Sequence, residues 1–108
     1  MNKTLIIQEQ GEAAYEFISN YMDVQSGETE VLKTINVFNI KKIEPPKKGI
    51  VNLNKINDIK DINQFFNEVH QKLVDNGIFI GCVETKEERR KRIYRKYPII
   101  IAQIYYFF

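Results

Sequence analysis

Cysteine occurs once in the 108 residues, as Cys82, so no intrachain disulfide forms and a four-cysteine zinc site is excluded by count. A reducing compartment is the expected setting. Histidine also occurs once, as His70 between Val69 and Gln71, without partners in the pattern for a metal cluster or a histidine-based triad. The glycines at 11, 27, 49, 77 and 81 show no G-x-G spacing, so the phosphate-cradling loop of a nucleotide-binding strand-to-helix turn is missing. Long apolar runs are scarce at the amino end. Leu5 to Ile7 is too short for a signal-peptide core, and a cytosolic amino end is expected.

What is present suits one globular domain: 44% of residues are hydrophobic and 28% charged. The net charge of +2 is unevenly placed. From Lys86 to Lys96 seven basic residues (Lys86, Arg89, Arg90, Lys91, Arg92, Arg95, Lys96) meet two acidic ones, a net +5, while the other nine basic and twelve acidic residues net −3. Such polarity fits an anionic partner, a lipid surface or nucleic acid, against the plainer alternative of a solvated helix face. Nucleic acid ranks last, because the remainder is acidic and no helix-turn-helix or RNA-binding signature accompanies Tyr94 and Tyr97. Glu84, Glu87 and Glu88 fit the start of a helix better than a paired-carboxylate site.

Along the chain, Ala13, Phe17 and Tyr21 at steps of four, with Ala14 and Ile18 alongside, predict an amphipathic helix over residues 9–22. "DVQSGET" then predicts a turn. Residues 30–44, "EVLKTINVFNIKKIE", predict a strand interrupted near Asn36, and "PPKKG", residues 45–49, predicts a loop. Ile50, Val51 and Leu53 form a short apolar run. Asn57 and Asp58 supply side-chain oxygens for a helix start. Ile59, Ile62, Phe66, Val69 and Leu73, widened by Phe65, form the apolar stripe of the helix that follows. Asn76 and Gly77 are placed as its carboxyl cap, leading into the apolar strand of residues 78–83.

Strand, amphipathic helix, glycine and strand make a βαβ unit whose two apolar strands suit neighbouring positions in a parallel sheet covered on both faces. In such sheets ligands bind beyond the carboxyl ends of the strands. The candidate crevice is therefore Asn54, Asn57 and Asp58 after the first strand, with Lys55 among them, and Glu84 and Thr85 after the second. These residues are candidates for a crevice only. No catalytic residue, metal ligand or cofactor site is assigned, and Cys82, inside a buried strand, is expected to behave as a small apolar group.

"INQFFNEVHQKLVDNGIFIGCVET" resembles the later half of an S-adenosylmethionine-dependent methyltransferase fold. The resemblance implies an α/β, Rossmann-like three-layer unit with a partly parallel sheet, incomplete relative to a full methyltransferase; without the glycine-rich loop it does not imply cofactor binding. Residues 50 to 98, "IVNLNKINDIKDINQFFNEVHQKLVDNGIFIGCVETKEERRKRIYRKYP", are similar to the cytosolic region that precedes the catalytic domain in bacterial polyprenyl-phosphate sugar transferases of capsule and exopolysaccharide assembly. "GIFIGCVETKEERRKR" is the most particular part. The family's Lys-Met-Arg-Thr and Glu-Leu-Pro-Gln segments belong to the catalytic domain and do not occur here. The resemblance implies an accessory or truncated domain without catalysis of its own, whose partners would be a transferase catalytic domain or an anionic membrane surface. A degenerate methyltransferase-like domain is the alternative, and a basic nucleic-acid-binding module the third.

The last stretch, "PIIIAQIYYFF", is the most apolar of the chain. Its eleven residues would rise only about 16 Å as a helix, half of a bilayer core of roughly 30 Å. Two units are therefore expected: an α/β domain over residues 1–97, and a carboxyl-terminal segment, 98–108, that either completes the core or faces a membrane interface. Together these features place the chain in the cytoplasm, peripheral to the inner face of the membrane.

Overall fold

A computed structural model describes residues 2–82 and 99–102, the latter by their backbone alone. It is a three-layer α/β fold: one four-stranded sheet, ordered β1-β2-β3-β4, with helices on both faces. In chain order the elements are α1 (Asn2–Gln10), α2 (Glu12–Ser19), β1 (Thr29–Leu32), α3 (Val37–Lys41), β2 (Lys47–Lys55), a single 3-10 turn (Ile56–Asp58), α4 (Ile62–Gln71), β3 (Leu73–Cys82) and β4 (Ile99–Ala102). β1, β2 and β3 are parallel, and β4 runs antiparallel to β3.

The expected βαβ unit is present: Ile50 stands opposite Phe79 and Val51 opposite Ile80, joined through α4. Period-2 alternation divides β2 between two cores. Ile50 and Phe79 face α3 and α4, packing with Ile40, Phe65 and Val69; Val51, Leu53 and Ile80 face α1 and α2, packing with Ile6, Ala14 and Ile18. Both crossover helices thus cover one face and the amino-terminal helices the other. Of the segment 98–108, set apart in the sequence as a second unit, Ile99–Ala102 belongs to this same sheet.

Several local expectations are corrected. The helix expected over 9–22 is two helices broken at Gly11, whose φ of 96° is left-handed, and its buried line is Ala14 and Ile18 rather than Ala13 and Tyr21. The strand expected over 30–44 ends at Leu32; Asn36 accepts from Phe38 N–H and caps α3, so the interruption near Asn36 is a change of element. β2 begins at Lys47, inside the stretch expected to be a loop. Asp61, not Asn57 or Asp58, caps α4, its Oδ1 accepting from Gln64 N–H at 3.0 Å. The α4 stripe is centred on Phe65 and Val69, with Phe66 half-buried.

Asn76 and Gly77 do not end the helix. α4 stops at Gln71, and Asn76 (φ 65°) lies within β3, where register jumps from Lys47 opposite Leu73 to Gly49 opposite Ile78. Gly77 fills the bulge because a Cβ there would stand 2.9 Å from the Val74 carbonyl oxygen and 3.0 Å from Leu73.

Candidate functional site

The carboxyl edge of the parallel strands is organised around Asn52, a carboxamide fully buried between Val51 and Leu53 of β2. Its Oδ1 accepts from Thr34 N–H at 3.0 Å and its Nδ2 donates to the Thr34 carbonyl at 2.9 Å. The Thr34 hydroxyl in turn accepts from Asn36 N–H (2.9 Å) and Asn39 Nδ2 (2.7 Å). Asn36 Oδ1 accepts from Phe38 N–H at 2.8 Å. A buried polar side chain without partners costs about 1–3 kcal/mol, and here a complete network spends Asn52 on fastening the β1–α3 turn to β2.

Two clefts open beside this clasp. One of about 270 Å³ is lined by Glu9, Gln10, Lys33, Asn54, Lys55 and Asp58. Its charges are internally matched: Lys33 Nζ lies 2.8 Å from Glu9 and Lys55 Nζ 3.9 Å from Asp58. Gln10 Nε2 donates to the Leu53 carbonyl at 3.2 Å, and its buried Oε1 has no hydrogen-bond partner among the described residues. The second cleft, about 350 Å³, lies between the starts of α3 and α4, with Ile35, Val37, Asp58, Ile59, Asp61 and Phe65 in its wall. A third, of about 400 Å³, opens at the opposite, amino edge among Tyr21, Asp23, Glu28, Lys48, Val74 and Asp75.

Of the sequence-predicted crevice residues, Asn54 and Asp58 share the first cleft, and Asp58 also reaches the second. Asn57 sits on the exposed 3-10 turn between them. Glu84, Thr85 and the basic run Lys86, Arg89, Arg90, Lys91, Arg92, Arg95 and Lys96 lie outside the described residues. Thr34, Asn36, Asn52 and Gln10 were not anticipated; the polar Asn52 between Val51 and Leu53 was the available signal, since a carboxamide in an apolar strand needs a partner.

Chemically the edge offers carboxamides, ammonium groups and carboxylates, and no group of three acidic, histidine or cysteine side chains placed to hold a metal exists among the described residues. Cys82 ends β3 fully buried, and burial pushes its thiol up to about 11, as expected of an inert structural cysteine. Among the described residues no helix is long and apolar enough to cross a membrane. Comparisons with protein-family models, with curated proteins and with solved structures find no match for the chain.

Proposed function

We propose that the chain is a non-catalytic accessory domain of a bacterial sugar transferase of exopolysaccharide or capsule assembly, working in the cytoplasm against the inner face of the membrane. One observation carries the reading: the stretch similar to that family supplies β2, α4 and β3, the central pair of parallel strands and their crossover, so the resemblance covers the fold's organising unit.

Connectivity supports the membrane side of the proposal. Cys82 pairs with Ile99, so the chain leaves β3 and enters β4 at the carboxyl edge of the parallel strands, and the sequence between these two points carries all seven clustered basic residues. Each Lys or Arg near an anionic surface contributes about 1 kcal/mol before screening. A transferase catalytic domain is the second expected partner, supplied by a separate segment.

The purified chain is expected to turn over no nucleotide sugar on polyprenyl phosphate and to give no heat with S-adenosylmethionine. Turnover would overturn the accessory role, and micromolar binding of S-adenosylmethionine would favour the methyltransferase-like alternative. Sequencing downstream of codon 108 tests parentage: a transferase domain in or near frame is expected, and an unrelated gene would contradict it.

A further inference from the structure

Ile35 and Phe38 are 54% and 62% exposed, and neither belongs to either core. Ile35 lies on the turn entering α3 and Phe38 in its first helical turn, three residues apart at the carboxyl edge of the sheet. Single exposed apolar residues are ordinary on a protein surface. This pair differs in its support, because the turn is held by the buried Asn52–Thr34 clasp and by the bonds of Asn36 and Asn39 to Thr34. A fully bonded polar network thus presents two large apolar side chains to solvent.

We infer that Ile35 and Phe38 are the apolar contacts through which the carboxyl edge seats in an anionic lipid surface. The inference rests on the membrane-surface reading above and names the side chains that enter the interface. Charge selects the occupant. Lys41 Nζ lies 5.4 Å from the Phe38 ring centroid, whereas Lys33, which begins the same turn, is already paired with Glu9 at 2.8 Å. The anchor points of the 83–98 connection, which nets +4, are at the end of β3, two strand spacings or roughly 10 Å from the end of β1. Asp58 and Asp61 are the acidic residues in the adjoining cleft; Asp58 lies near Lys55 and Asp61 caps α4. Apolar side chains entering the acyl boundary with ammonium groups at the phosphates is the arrangement of an interfacial contact.

The chain contains no tryptophan, so Phe38→Trp gives a single reporter. With vesicles of phosphatidylcholine and about 30% phosphatidylserine, its emission is expected to shift to the blue and to be quenched by brominated acyl chains. The double change Ile35→Ser with Phe38→Ser is expected to lower partition into those vesicles by about tenfold or more, with an unchanged melting curve. Vesicle binding with neither shift nor quenching would overturn the inference while leaving the surface reading intact. Absence of binding would overturn both. A blue shift that grows with protein concentration without vesicles would place a second copy on this turn instead.

Discussion

The Asn52 carboxamide closes a two-bond ring with the backbone of Thr34, accepting its N–H at 3.0 Å and donating to its carbonyl at 2.9 Å. Asn52→Leu keeps four side-chain heavy atoms branched at Cγ and leaves both Thr34 backbone groups buried and unpaired. At about 1–3 kcal/mol for each orphaned group, the variant is expected to lose roughly 2 to 5 kcal/mol in urea denaturation. A loss below about 1 kcal/mol would mean that water replaces the clasp.

Phe65 is 1% exposed and meets Phe79 edge-on at 6.4 Å between centroids. Phe65→Ala is expected to cost about 3 to 5 kcal/mol, enough to unfold a marginal domain. Phe66, half-buried at the margin of the same cluster, should cost less. Equal losses in paired denaturant melts would show that the α4 stripe is turned toward Phe66.

Gly49 of β2 and Gly77 of β3 flank the same register jump but differ in what a Cβ would meet. A Cβ at Gly77 meets the backbone at the Val74 carbonyl, whereas a Cβ at Gly49 meets the Met22 thioether at 2.7 Å, the end of a flexible side chain. Gly77→Ala is therefore expected to destabilise more than Gly49→Ala, by about 1 kcal/mol or more. The reverse order in thermal melts would contradict the bulge geometry.

Burial raises the Cys82 thiol from 9.0 to about 11, so the folded chain holds this proton more tightly than the unfolded one. The associated stability is complete below pH 9 and falls as pH rises from 9 toward 11, by roughly 2 to 3 kcal/mol. Cys82→Ala removes that slope while adding a pH-independent cavity cost. Parallel stability profiles of the wild type and the variant across this window would refute the assignment.

The segments legible in the sequence were those whose local pattern and tertiary role agree. Ile50, Val51 and Leu53, and Phe79 and Ile80, are apolar because both faces of β2 and β3 are covered, and that pattern fixed the parallel pair in advance. Residues 30–44 misled because Ile35 and Val37 keep the period-2 phase of Val31 past the strand's end at Leu32, while the decision to turn into a helix is made by Asn36 and by Asn52, sixteen residues further on. Gly77 and Asn76 have the composition of a helix cap, and only pairing with β2 assigns them to a bulge. Asn54 and Asp58 line one cleft, as their shared place at the carboxyl end of β2 suggests, but the clasp beside it depends on a long-range bond that no local spacing encodes.

Whether the carboxyl edge contacts an anionic surface is tested most directly by vesicle sedimentation. The purified chain is expected to sediment with phosphatidylserine-containing vesicles at low salt and to be released as salt rises toward about 0.5 M, because screening acts within roughly 10 Å or less. It is expected to ignore neutral vesicles, and Arg89, Arg90, Arg92 and Arg95 changed together to Gln should abolish binding while the fold persists. Equal binding to neutral and anionic vesicles, or binding to neither, would contradict the account.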